Sequence, residues 1–494
     1  MGIRARGTLA AGACVAAVAV TAWRVQSLRP GVGADWSWVA TLAYGAEHGL
    51  RAGSQVVWSY GPLGFLNTWY GPVLYYPGVL AAAWLFAALT QLLLAGTLLA
   101  ALRRSLPLPA AAFGAAVALA LVPDRVPALG LAWCALALAS ADRAARGRAA
   151  EAFAPALGAL TGIALLGKLN QGVELLVLAA VTFAAVPRRR DALAFAGALL
   201  ASAAAGWFAS GQTVSDAWPY VRGGAQVVAG YAAAMGTSDA AHRWAYAAAL
   251  ALAALALALA WDAMRGRPRR RRWGMLALCA AYAFFTFKEG FVREDPPHLG
   301  VFFGDMAVLF AVLPLRRSRW LPALAGVAIC AASLGAVLGV RQLARELDPV
   351  ENVVAAADQV RTLASPARRA SIAAGLRAQV VATYGLDPAL AAAVGRRTVM
   401  MWPLLLGEVA WAYGLNLRPL PTLEPYATYT PALDRRAADM LASTRAPERI
   451  LRALATPLDG RHPSFEAPLA ALAIACRYRQ LDARPPWQLL ARGA

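Results

Sequence analysis

Long apolar runs, each closed by a short basic or Gly/Pro-containing turn, fill the first two thirds of the chain. A helix that crosses lipid needs about 20 mostly apolar residues. Runs of that order lie near 7–26, 77–101, 107–123, 126–142, 152–167, 171–187, 191–210, 243–263, 273–288, 299–315 and 319–340. The pattern predicts an all-α polytopic membrane protein with about 11 transmembrane helices. Between the first two runs, residues 36–48 suit an amphipathic helix capped by Asp35. Trp36, Trp38, Trp58, Trp69, Tyr70, Tyr75 and Tyr76 around it suit the headgroup zone, where aromatic rings partition. From about 341 the pattern changes: apolar positions keep helical spacing, as across 389–415, but prolines interrupt them from Pro366 to Pro468. The expected organisation is a multi-span membrane domain, 1–340, with a long first outer loop at 27–76, then a mainly helical extracytoplasmic C-terminal domain, 341–494.

Composition agrees with lipid as the main solvent. Of 494 residues, 60% are apolar or aromatic and 15% charged, with mean hydropathy +0.51. A soluble domain carries nearer a quarter charged residues, so disorder and a cytosolic enzyme are excluded. Five cysteines form no CxxC pair and four lie in apolar runs, which excludes a disulfide framework. The net charge of +20 does not point to nucleic acid, because no stripe of basic and aromatic residues exists for a strand to follow. The arginines cluster instead at 103–104, 143–148, 188–190, 265–272 and 316–319, in alternate loops, as the positive-inside rule requires. This places the N-terminus in the cytoplasm, the C-terminal domain outside, and the chain as a multi-pass protein of the bacterial plasma (inner) membrane. Thr8 to Trp23, after Arg4 and Arg6, reads as a retained signal anchor. No phosphate loop and no dinucleotide fingerprint occur, so chemistry on cytoplasmic nucleotides is not expected.

The unusual polar residues map to the outer side. There are two lysines, Lys168 and Lys288, among 47 basic residues. Lys288 begins the densest polar segment, Lys288-Glu-Gly-Phe-Val-Arg-Glu-Asp-Pro-Pro-His298. Lys288 as a point charge and Arg293 as a fork match a phosphate, with His298 beside them. Glu289, Glu294 and Asp295 compete for the same cations, so a salt-bridged loop anchoring two helix ends fits equally. Lys168 sits in a polar hairpin with Glu174, either paired with it or lining a cavity, and Asp305 lies within the tenth span. In the first loop, Glu47-His48 and the Tyr60-Gly-Pro-Leu-Gly64 turn exceed what an interfacial helix needs. Tyr426 and Tyr429 offer hydroxyls and ring faces to a sugar, or simply precede a helix capped by Thr430. No His or Cys spacing suggests a metal site.

The layout resembles the GT-C superfamily of integral-membrane glycosyltransferases, in which an acidic residue in the first outer loop precedes many spans. By position Asp35 matches that acid, and the resemblance implies that it acts as base or as ligand of a divalent cation. Asp35 is followed by Trp36-Ser37, a departure from the commoner paired-acid patterns. The resemblance also implies a sugar donor on a polyprenyl phosphate within membrane lipid, held by Lys288, Arg293, His298 and Lys168. The chain is similar, too, to bacterial multi-span proteins with three marks. These are a YGPLGF turn (Tyr60 to Phe65), a K-x-GFVR-x-D segment reaching His298, and a Y-x-x-YTPxLD segment (Tyr426 to Asp434) followed by Asp459-Gly-Arg461. That likeness carries no activity. The expected function is transfer of a sugar to an envelope glycan, lipid or protein. The rivals are a transporter or flippase with Lys168, Glu174 and Asp305 along its path, and a non-catalytic envelope-assembly partner.

Overall fold

A computed structural model of the chain describes residues 3–25, 28–67, 74–140, 148–453, 461 and 463–493. Trp69, Tyr70, Asp459, His462 and the loop 141–147 lie outside these residues. A helix stands at each of the eleven apolar runs. Leu80–Leu102, Arg189–Ala209, Ala240–Ala263 and Arg317–Leu338 are long and apolar enough to cross a membrane. The helices share one extended apolar core in which, for example, Leu94, Leu129, Leu175, Leu278 and Phe303 are fully buried. The basic connections gather at one end of it. There Arg104 bonds Ser140, Trp320 bonds Ser105 (2.9 Å), Arg319 pairs with Asp262 (2.8 Å) and Arg270 bonds the Ala184 carbonyl (2.7 Å).

The C-terminal part departs from the mainly helical expectation by holding a five-stranded sheet. Its strands are β1 (Thr398–Trp402), β2 (Asn416–Leu417), β3 (Arg449–Ala453), β4 (Tyr478–Arg484) and β5 (Trp487–Arg492), in the order β2-β1-β3-β5-β4. β1 runs parallel to β2 and β3, while β5 is antiparallel to β3 and β4. Both sheet faces are covered. Val399, Met401, Leu451 and Leu489 enter one core, and Met400, Trp402, Ile450 and Leu490 enter another under Pro431–Ala442 and Pro468–Arg477. A strand buried on both faces reads as a continuous apolar run and shows no period of two. Thr-Val-Met-Met-Trp therefore passes for helix in sequence.

The segment between the first two apolar helices folds onto this sheet. Its helix, Ala34–Glu47, starts two residues earlier than expected, with Gly33 at the cap position, so Asp35 is not the cap. Trp38, Tyr44, Trp58 and Tyr75 are buried in the core shared with β1 and β3. These rings are core residues and do not sit as headgroup anchors. The sheet supplied an apolar surface that the loop alone did not reveal.

Candidate functional site

The site is built at the end of the helical core that carries the C-terminal domain. The Tyr60–Phe65 turn pairs with the Lys168 hairpin as a short ladder: Gly61 N–H donates to the Gly167 carbonyl (3.1 Å), Leu63 N–H to Leu166 (2.9 Å) and Leu169 N–H to Ser59 (3.3 Å). Gly61 is demanded by close approach, since a Cβ there would lie 2.4 Å from the Leu166 carbonyl oxygen and from the Tyr220 hydroxyl. The ladder fixes Lys168 beneath Tyr60, its ammonium 5.9 Å from the ring centroid.

Lys168 does not pair with Glu174. Its Nζ is 2.5 Å from Glu289 Oε1 and 3.6 Å from Asp124 Oδ2. Gln171 donates to Asp124 (2.9 Å) and Asn170 to Glu289 (3.3 Å). Burial opposes the ammonium, but the Asp124 and Glu289 carboxylates outweigh it and hold the pKa above the ordinary lysine value. Lys288 takes no part: it is exposed and forms no ion pair among the described residues. Neighbours on a helix point about 100° apart, and Glu289 is the one on the inward face with Tyr282 and Thr286.

The rest of the 288–298 segment is anchored by its own carboxylates. Arg293 Nε meets Asp295 (3.0 Å), and Asp295 accepts both the ring N–H and the backbone N–H of His298 (2.6 and 3.1 Å), capping Pro296–Val312. Burial works against the Asp295 charge, yet His298 and Arg293 prevail and bring its pKa down to about 2. Glu294 is buried, accepting from Asp239 N–H (2.8 Å) and the Tyr246 hydroxyl (2.6 Å). Ion pairs thus hold Arg293, Asp295 and His298 together, while Glu294 anchors the segment through neutral hydrogen bonds.

Arg293 is also turned toward the C-terminal part. Its guanidinium donates to the Met235 carbonyl (3.3 Å), and that of Arg461 donates to the neighbouring Ala234 carbonyl while pairing with Glu466 (3.3 Å). Tyr231 and Tyr429 meet edge to face at 5.5 Å, and both lie within electrostatic reach of Arg293. Tyr231 also feels Lys168, and Tyr429 feels Arg461. Burial raises the Tyr60 and Tyr231 phenols above their ordinary values, so both remain hydroxyl donors at neutral pH. Three cations and three phenols therefore come from five stretches of chain.

Asp35 lies at the rim of this cluster. It is exposed and accepts the Trp38 indole N–H (3.2 Å); Trp38 stacks on Tyr60 with centroids 4.9 Å apart. Two small clefts flank the Tyr60–Phe65 turn, sharing Leu42 as a wall. Val56 and Pro62 line the larger, and Phe65 and Leu80 the smaller. Among the described residues no three His, Cys, Asp or Glu side chains are placed to hold a metal ion. Asp35 thus lacks the companions that the resemblance implies for a divalent cation.

The other expected residues stand apart. Glu47 accepts the Gly78 N–H (2.5 Å), and His48 stacks on Tyr44 at 3.9 Å, so they clip the loop to the next helix. Tyr426 is buried edge-on to Trp58 (6.5 Å), and Thr430 caps Pro431–Ala442. Asp124, Tyr231 and Glu289 were missing from the expected set. Asp124 had a signal, a charge set between two apolar runs; Glu289 had only its helical phase. No protein-family model matches the chain, and no curated protein is significantly similar to it.

Proposed function

We propose that the chain is a multi-pass protein of the bacterial plasma membrane, with a cytoplasmic N-terminus, that transfers a sugar from a polyprenyl-phosphate carrier to an envelope acceptor. The observation that carries this reading is the convergence of Lys168, Arg293 and Arg461 on Tyr60, Tyr231 and Tyr429 beside apolar clefts. The gathering of the basic connections at the opposite end supports an outer-face site.

In this reading the guanidiniums of Arg293 and Arg461 hold the carrier phosphate as forks, Lys168 adds a point charge, and the phenols donate to its oxygens. Asp35, exposed at the rim, takes the proton of the acceptor hydroxyl as its oxygen bonds the anomeric carbon. The carrier phosphate then leaves with the electron pair of the broken C–O bond. His298 acts only through Asp295, and Lys288 has no role.

Transfer from a labelled polyprenyl-phosphate sugar in nanodiscs tests this. Asp35→Asn leaves folding intact and lowers turnover about 100-fold, the scale of lost acid–base catalysis. Near-parental turnover reduces Asp35 to a first-turn residue. Glu174 and Asp305, buried in the helical core, favour a second reading as a transporter or flippase. Vesicle uptake of the carrier that survives Asp35→Asn supports it.

A further inference from the structure

Polar residues continue from the Lys168–Glu289 pair into the helical core. Gln171 and Glu174 follow Lys168 at helical spacing on Leu169–Ala185, and Tyr282 lies two turns before Glu289 on Arg269–Phe291. Asp305 lies mid-way along Pro296–Val312. Arg269–Phe291 packs on both of the other helices, and all three pack on Arg125–Ser140. Glu174, Tyr282 and Asp305 are 3, 0 and 1% exposed. Tyr282 and Asp305 both feel the charge of Glu174, and all three feel Asp124 and Glu289.

Two observations show that this group is incomplete as it stands. Glu174 Oε1, Asp305 Oδ1 and the Tyr282 hydroxyl are buried without a hydrogen-bond partner among the described residues; most buried polar side-chain atoms in a native interior are paired, so each calls for an explanation. The charges also fail to balance. The groups facing the cluster are the carboxyls of Asp124, Glu174, Glu289 and Asp305, against the cations Lys168 and Arg125. Two carboxyls are in excess. Lys168 serves Asp124 and Glu289, so the excess falls on Glu174 and Asp305. An apolar interior does not hold two uncompensated anions, and no three His, Cys, Asp or Glu side chains among the described residues are placed to hold a metal ion.

We propose that Glu174 and Asp305, with the Tyr282 hydroxyl, form a proton-binding site inside the helical core, reached from the domain-bearing end through Glu289 and Lys168. Each carboxylate takes one proton, and the O–H formed becomes the donor that the cluster lacks. Glu289, with 17% of its side chain exposed, is the mouth of the file. The site is independent of sugar transfer, since it needs neither Asp35 nor a carrier.

Infrared difference spectroscopy of the full chain in nanodiscs tests it at neutral pH. Wild type minus Glu174→Gln and wild type minus Asp305→Asn should each show loss of one protonated-carboxyl band that shifts in D2O. Tyr282→Phe, which keeps the ring and its packing, should move these bands without removing them. Carboxylate bands lost in place of carboxyl bands would overturn the proposal. So would bands indifferent to Tyr282→Phe, or bands that appear only when sodium is withdrawn.

Discussion

Asp295 holds three partners at once: the Arg293 guanidinium, the His298 ring and the first free N–H of the helix that follows. Their hold brings its pKa down to about 2, against about 3.9 for an unperturbed aspartate. A depressed folded-state pKa contributes stability that is complete above the unfolded value and vanishes as pH falls through the folded one. Wild type should therefore melt above Asp295→Asn at pH 5 and higher, with the gap closing between about pH 4 and 2. A gap constant across that range would contradict the assignment. Which side chains carry charge at this site was readable in sequence only in part. Lys288 and Arg293 stand out as cations, but a single step along a helix turns Lys288 out and Glu289 in. Phase at that resolution depends on which neighbours pack, and those come from residues 100 or more positions away.

At the scale of elements, turns and helices meet through glycines. Gly61→Ala would drive a methyl into the Leu166 carbonyl and the Tyr220 hydroxyl. It should cost about 1–3 kcal/mol, the range for overpacking, and displace Lys168 through the shared ladder. Denaturation of the purified variant checks the first, and weakened carrier binding the second; a neutral Gly61→Ala would show that the ladder is loose. Val214–Met235 lies between the apolar runs 191–210 and 243–263 and is a helix. Its Gly223, Gly224 and Gly230 let it approach Val57, Leu169 and Tyr429. Its start was legible: Thr213 and Asp216 form a reciprocal capping box. The apolar runs, by contrast, announced eleven helices because burial or lipid on all sides leaves no other pattern. β1 stayed hidden for the same reason, being apolar on both faces, whereas β4 is mostly exposed and shows no apolar alternation.

For the whole molecule, one arrangement organises the rest. Arginine-rich connections lie at one end of the helical core, and at the other the segment between the first two apolar helices and the C-terminal sheet share a single interior. Motifs separated by hundreds of residues close around Lys168 at that end. The central claim is that this cluster, and not the exposed lysine beside it, holds the carrier phosphate. Binding of polyprenyl phosphate by the full chain in nanodiscs tests it most directly, measured for the parent, Lys288→Ala, and Lys168→Met combined with Glu289→Gln. The combined change removes both partners of a buried pair, so neither is left unpaired, and Asp124 keeps its bond from Gln171. Lys288→Ala should bind as the parent does, and the combined variant at least about tenfold more weakly, roughly 1.4 kcal/mol. Parental binding by the combined variant, or its loss in Lys288→Ala alone, would contradict the account.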